Sequence, residues 1–140
     1  MARRPGIAGV GAGWPAVSAY AVAHLTAPPS HLPDEVLEYM ERIQATLDPH
    51  GGRFVVHGGT VEVQEGAWPG TVVVIEFPDL PAARAWYGSE AYTALKPLRT
   101  RNVPGHAILV DGVSADYDPA ETAAALRREG HGGPGVRLTP

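Results

Sequence analysis

The sequence predicts a single domain of the α+β class, with a four-stranded antiparallel sheet covered by helices. At 140 residues the chain is long enough to bury one hydrophobic core. Hydrophobic residues make up 44% and charged residues 19%, proportions that are ordinary for a globular protein. Segments with strand and helix patterns follow each other in the order strand, helix, strand, strand, helix, strand.

The first strand is predicted over Ala19 to Leu25, where successive side chains alternate between two faces, and Pro28-Pro29 ends it. A helix then begins near Pro33, because proline suits the first turn. Asp34 and Glu35 complement the helix dipole there. One apolar stripe at helical spacing is predicted to face the core and consists of Val36, Met40, Ile43 and Leu47.

The second strand is predicted over Arg53 to His57, and Gly58-Gly59 then forms a turn or bulge before an extended stretch over 60–64. The clearest strand is Thr71 to Phe77, because it is rich in β-branched residues. Asp79 is a good N-cap for a helix that runs through Tyr87.

Ser89 is expected to cap a second short helix, and the last strand is predicted over His106 to Asp111. The resulting β-α-β-β-α-β order is typical of a ferredoxin-like fold, with the strands in the spatial order 4-1-3-2 and both helices on one face. We expect the first and third strands to be central and to run parallel.

The chain divides into a flexible leader over 1–17, the folded domain over 18–113 and a C-terminal extension over 114–140. The extension holds a short helix that starts at the capping-box-like Asp118-Pro119-Ala120-Glu121, followed by a loose tail. Glycines between Gly9 and Gly13 resemble a dinucleotide-binding loop, but Trp14-Pro15 follows where that motif needs a helix. A flexible leader is the favoured interpretation.

Composition excludes several classes of function. A net charge of −4 argues against nucleic-acid binding, which normally requires a basic surface. The chain has no cysteine, so it has neither a thiolate nucleophile nor a cysteine zinc site. Its sequence holds no apolar run that could span a membrane or act as a secretory signal, and we expect a cytoplasmic protein.

Several sequence blocks between about Tyr20 and Val113 resemble the family catalogued as domain of unknown function 1330. The resemblance implies a dimeric α/β barrel, in which two sheets pack face to face around a pocket and the partner is a second copy. The family has no settled activity, so the resemblance implies fold and dimerisation more than function. The blocks that carry it are Gly51-Gly52-Arg53-Phe54, Gly58-Gly59, Glu65-Gly66, Val74-Ile75-Glu76-Phe77-Pro78, Trp86-Tyr87-Gly88-Ser89-Glu90-Ala91-Tyr92 and Leu98-Arg99.

One face of the predicted sheet collects polar side chains. The purely apolar face should pack against the helices, because that layer must be dry. The predicted direction of the strands brings four ionisable groups of the other face to one edge. These candidate catalytic residues are His24, Arg53, Glu76 and His106, and Tyr20 and His57 lie on the same face as candidate substrate-binding residues.

Three interpretations of this cluster remain open. Glu76 and Arg53 could form a structural ion pair in the dimer interface. Alternatively, a Glu beside His and Arg could act as an acid or base, with Arg binding an anionic or enolate oxygen. A metal site from His24, His106 and Glu76 is the least favoured, since no compact ligand motif supports it. We therefore expect neither metal nor cofactor.

A second group of candidates lies near the predicted pocket mouth. Tyr92 and Arg99 match positions of the family blocks near the helix end. The resemblance implies that they could close the mouth or bind an acidic group, although an interface hydrogen bond is equally compatible with their positions. Trp68 could form an aromatic lid. Trp86 is expected in the core, because it lies at helical spacing from Ala82 and Ala83.

These patterns favour a cofactor-independent enzyme that acts on a small organic molecule by isomerisation, cyclisation or another proton transfer. Two alternatives use the same residues. The chain could be a dimer that binds a small ligand without chemistry, or a purely structural dimer whose polar face serves only the interface.

Overall fold

A computed structural model describes residues 17–26 and 31–130 of the chain. Its four strands are β1 (Ala19–Leu25), β2 (Arg53–His57), β3 (Thr71–Phe77) and β4 (Gly105–Asp111). The main helices are α1 (Asp34–Leu47), α2 (Leu80–Tyr87), α3 (Glu90–Leu95), α4 (Pro97–Thr100) and α5 (Pro119–Arg128). The predicted leader up to residue 16, Pro28-Pro29 and the tail from residue 131 lie outside the described residues.

The sheet has the order β2-β3-β1-β4 and is antiparallel throughout, which confirms the predicted fold class. The expectation that the first and third strands run parallel is wrong. A helical crossover returns the chain so that β2 runs in the direction of β1, and the following hairpin reverses β3. Strand β3 therefore runs opposite to β1, and Tyr20 rather than His24 is the register partner of Glu76.

Local signals place the helices where the sequence predicted them. Asp79 caps α2 by accepting a hydrogen bond from the Ala82 backbone N–H at 2.8 Å, and Ser89 caps α3 by accepting one from the Tyr92 N–H at 3.2 Å. Pro33 stands at the N-cap position of α1, with no side-chain cap. Helix α4 was not predicted.

The core lies between the sheet and helices α1 to α3. Its central aromatic residue is Trp86, which is 2% exposed and confirms the predicted core position. Its indole N–H donates a hydrogen bond to Thr46 Oγ1 at 2.9 Å. The predicted stripe on α1 is wrong at one position, because Met40 is 40% exposed and Tyr39 is buried instead. The inward turns of α1 thus follow Val36, Tyr39 and Ile43.

A β-bulge interrupts the pairing of β2 with β3. Phe54 pairs with Ile75 and Val56 pairs with Val74, so Val55 is the extra residue. The sequence predicted a turn or bulge at Gly58-Gly59, and the irregularity instead lies inside the strand. Because side chains alternate with a period of two, one extra residue exchanges the faces of everything that follows it in β2.

The remaining segments extend from this core. Helix α5 begins after Asp118, whose carboxylate accepts a hydrogen bond from the Ala120 N–H at 2.9 Å, and none of its residues is buried. Among the helices of the described residues, none has the length and apolar character that crossing a membrane requires.

Candidate functional site

A cavity of about 620 Å³ lies between the sheet and the helical layer. This volume is within the range of small-molecule sites. The cavity lies on the opposite face of the sheet from the polar cluster that the sequence predicted. Its walls are mainly apolar, and the sheet supplies Ala21, Ala23, Phe54, Val73, Ile75 and Leu109, while α1 supplies Val36 and Ile43.

Two tyrosines and an arginine provide the main polar surface of the cavity. Tyr39 on α1 and Tyr92 on α3 are both buried, and their hydroxyl oxygens are hydrogen-bonded at 2.7 Å. Arg99 on α4 lies beside them, with its guanidinium carbon 5.8 Å from the centre of the Tyr39 ring. Helix α4 follows α3 almost directly, and this short connection places Arg99 next to Tyr92.

The position of α4 is secured from outside the cavity. Glu35 accepts hydrogen bonds from Arg101 Nη2 at 2.7 Å and from Asn102 Nδ2 at 2.9 Å. These bonds lower the pKa of Glu35, the one from Arg101 most. The contact joins the first turn of α1 to the residues that follow α4. Arg99 therefore lies between helix α3 on one side in sequence and this contact on the other.

Electrostatic interactions in the cavity keep Tyr39 and Arg99 protonated. Burial raises the pKa of Tyr39, and the neighbouring Tyr92 raises it further, so Tyr39 is a neutral phenol at ordinary pH. Burial lowers the pKa of Arg99, but the two phenol oxygens that face it offset this, and the net direction is upward. Arg99 is therefore a fixed cation in this cavity.

One hydroxyl proton of the tyrosine pair is not used by the bond between the two hydroxyls. The two phenols carry one proton each, and a single bond between the hydroxyls uses only one of them. The other proton has no acceptor among the residues that the structure describes. Arg99 likewise makes no ion pair with any described carboxylate. The cavity thus presents a cation and a free O–H donor to whatever occupies it.

Two of the predicted site residues, Tyr92 and Arg99, are brought together in this cavity. Sequence reasoning missed their partner Tyr39. The sequence did contain a sign of its position. Val36, Tyr39 and Ile43 are spaced three and four residues apart, which fits one face of a helix as well as Val36, Met40 and Ile43 do.

The predicted catalytic cluster does not converge. Arg53 and Glu76 do form an ion pair, with Nη2 and Oε1 2.8 Å apart, and Tyr20 donates to the other Glu76 oxygen at 3.5 Å. The Arg53 side chain is 69% exposed. The ion pair therefore lies at the surface, on the face of the sheet that the helices do not cover, which we call the open sheet face. An exposed pair of this kind contributes little to stability, and whether it lies in a dimer interface stays a prediction.

The two histidines of the predicted cluster lie at the other end of the strands. His24 and His106 are register partners, whereas Glu76 follows the β3 partner of His24 by four residues, or about 13 Å along a strand. The expected convergence is wrong because it assumed parallel central strands. The described residues accordingly contain no group of three side chains that could hold a metal ion.

Trp68 lies beside His24 rather than at the helix–sheet cavity. The two ring centres are 4.5 Å apart, and His24 Nε2 contacts the Pro69 carbonyl oxygen. The Trp68 side chain is 44% exposed. It covers the end of the open sheet face that carries the histidine pair.

His57 lies on the helix side of the sheet, and its predicted place on the open face is wrong. The bulge in β2 transfers it, so that it pairs with Val73 and lines the cavity. Its ring packs on Phe54 with centres 4.8 Å apart.

Comparison with known proteins identifies a family and a shared fold. The family model described as Domain of unknown function (DUF1330) matches residues 18–113, as the sequence blocks predicted. No curated protein matches the chain.

Three similar solved structures illustrate the fold. A protein of unknown function from Rhodopseudomonas palustris has 14% identity and a TM-score of 0.53, over 71% of this chain and 85% of that one. SnoaB, a cofactor-independent oxygenase from Streptomyces nogalater, has 14% identity and a TM-score of 0.49, over 74% and 100%. A dimeric ferredoxin-like protein of unknown function from Thermobifida fusca has 14% identity and a TM-score of 0.46, over 69% and 92%. The Rhodopseudomonas palustris protein has a TM-score above 0.5, and at 14% identity its likeness shows a common fold only.

Proposed function

The chain belongs to the DUF1330 family, and we propose that it binds a small organic anion in the helix–sheet cavity and moves a proton on it without a cofactor. The observation that carries this proposal is Arg99, a cation that faces an apolar cavity and has no carboxylate partner among the described residues. A charge in such surroundings is costly unless something neutralises it.

The shape and chemistry of the walls restrict the ligand. The apolar side chains of the sheet and α1 favour a hydrocarbon body, aromatic or aliphatic. Arg99 favours a carboxylate, phenolate or enolate oxygen, and the free tyrosine O–H adds a second donor to the same oxygen. A mainly apolar molecule with one negative end satisfies both requirements.

The same groups support proton transfer. An oxygen that gains negative charge during a reaction is stabilised by donors that are already in place, which is how Arg99 and the tyrosine pair would act on an enolate. Isomerisation and cyclisation of carbonyl compounds proceed through such an oxygen. The alternative is a binding protein that uses the same cavity without chemistry, and it shares the predicted preference for an anion.

We expect the protein to prefer an apolar anion to a neutral molecule of similar shape. 8-Anilinonaphthalene-1-sulfonate should bind at least about tenfold more tightly than the uncharged N-phenyl-1-naphthylamine, because a charge-assisted contact is worth about 1.5–3 kcal/mol. Both dyes become fluorescent in apolar sites, so titration of each measures the two dissociation constants. Equal affinity for the two dyes would remove the basis of the proposal.

The second part of the proposal is a homodimer that covers the open sheet face. This face carries β-branched side chains that solvent reaches, with Val55 42%, Ile108 57% and Val110 41% exposed. An antiparallel sheet whose second face meets water normally alternates apolar and polar residues. Here the exposed face is apolar between the Arg53–Glu76 pair and the histidine pair, and a second copy of the same face is the complementary partner.

Substituting Val110→Asp is expected to weaken this dimer. In a two-fold interface both copies gain a carboxylate against an apolar surface, and an unpaired buried charge costs about 2–5 kcal/mol, or at least about a 30-fold weaker association. Light scattering across a dilution series measures the change in mass. Leu37→Asp is the matched control, because Leu37 is 42% exposed on α1, away from the sheet. A Val110→Asp protein with the wild-type mass at every concentration would contradict this interface.

A further inference from the structure

His57 is a further polar group of the cavity, in addition to Arg99 and the tyrosine pair. It lines the cavity and is exposed, so it lies where the cavity meets solvent. No hydrogen bond or ion pair engages its ring within the described part of the chain. Its ring packs on that of Phe54, with centres 4.8 Å apart.

The surroundings of His57 leave its ring nitrogens available. The imidazole packs against the Phe54 ring at an angle of 34° between the ring planes, and no hydrogen bond from a described residue occupies its nitrogen atoms. The bulge at Val55 is what turns this side chain toward the cavity rather than the open sheet face. Imidazole is the side chain that most often serves as a general base in proteins.

We propose that His57 is the general base of this cavity, and that the substrates are carbonyl compounds with an apolar body and an acidic C–H next to the carbonyl group. The inference rests on the proposed function, because it needs Arg99 and the tyrosine pair to hold the carbonyl oxygen. Aromatic 2-oxo acids and 1,3-dicarbonyl compounds are members of this class.

The proton transfer balances without an added reactant. A neutral imidazole nitrogen of His57 takes the proton from carbon, and the C–H electron pair becomes the new C=C bond. The carbonyl π pair moves to oxygen, where the negative charge meets Arg99 and the free tyrosine O–H. Return of a proton to a different atom of the enolate gives an isomer, and return to the same carbon from solvent gives isotope exchange.

The other polar groups of the cavity are unsuited to the role of base. Tyr39 has a raised pKa and remains a neutral phenol, which donates a proton but does not remove one. The Trp86 indole N–H is a donor only and is already bonded to Thr46. The Tyr87 hydroxyl oxygen already accepts a hydrogen bond from Lys96 Nζ at 3.4 Å.

Hydrogen–deuterium exchange of phenylpyruvate tests the inference. Wild-type protein in D₂O should accelerate loss of the C3 proton signal in ¹H NMR above the rate in buffer. His57→Gln should lower the protein-dependent rate by about 100-fold or more, the usual size of a general-base effect. His50→Gln is the control, because His50 does not line the cavity, and it should exchange at the wild-type rate.

Dye binding separates this inference from the proposed function. His57→Gln should still bind 8-anilinonaphthalene-1-sulfonate more tightly than N-phenyl-1-naphthylamine, because Arg99 is intact, and this preference also shows that the variant is folded. If wild-type protein binds the dye but exchanges phenylpyruvate only at the buffer rate, or if His57→Gln exchanges as fast as wild type, the role of His57 is overturned while anion binding stands. If wild type shows no preference for the anionic dye, the proposed function itself fails.

Discussion

Replacing Arg99 with methionine is expected to weaken binding of 8-anilinonaphthalene-1-sulfonate by about tenfold to a hundredfold. The substitution removes a cation whose charge-assisted contact is worth about 1.5–3 kcal/mol, while methionine retains most of the apolar stem. The tyrosine pair stays in place, because Tyr39 and Tyr92 bond to each other. Fluorescence titration of the dye against each protein measures the loss.

Two controls make this result specific to the charge in the cavity. Arg42→Met removes an exposed arginine of α1, which pairs with Glu38 on the same helix and does not line the cavity. That variant should bind the dye as wild type does. The uncharged N-phenyl-1-naphthylamine should bind Arg99→Met and wild type equally. An Arg99→Met protein that keeps full affinity for the anion would show that Arg99 does not receive the ligand.

Replacing Trp86 with alanine is expected to lower the free energy of unfolding by about 3–5 kcal/mol, the range for a large aromatic residue removed from a core. Trp86 is 2% exposed and packs between Phe77 and Tyr92, with ring centres 5.5 Å and 4.2 Å away. Its loss leaves an empty volume beside the cavity and removes the hydrogen bond to Thr46. Urea denaturation at matched protein concentration measures the change, so that any dimer contributes equally.

Trp68→Ala is the matched control for this prediction. Trp68 is 44% exposed and contacts the ring of His24, so its removal should cost less than about 1 kcal/mol. Trp86→Phe should fall between the two, because it keeps most of the ring packing and loses the indole N–H. Equal stability of the two alanine variants would contradict the assignment of Trp86 to the core.

Local sequence patterns predict most of the elements of this fold. The β-branched run of β3 and the N-caps Asp79 and Ser89 depend on interactions within a few residues, so the sequence alone suffices to place them. The family blocks extend over the residues that the family model matches. Arg53 and Glu76 also meet as predicted, because adjacent positions on paired strands require only the hairpin between them.

The candidate site was less predictable, because its residues meet only through tertiary structure. The bulge at Val55 leaves no clear trace in composition, yet it moves His57 to the cavity side of the sheet. Reversed direction in β3 separates Glu76 from the histidine pair, which local alternation cannot reveal. The choice of Tyr39 over Met40 for the core depends on the angle at which α1 packs against its neighbours.

The sequence by itself therefore determined the class of fold, the order of its elements, the family and two cavity residues, Tyr92 and Arg99. The class of fold and the order of its elements follow from short-range periodicity and capping, whereas the family and the two cavity residues follow from the sequence blocks that resemble the family. Tertiary structure alone decided which face of the sheet holds the cavity and which polar groups share it. The physical reason is that strand direction, register and helix packing bring together residues far apart in sequence, and a shift of one residue in register reverses the face on which a side chain lies.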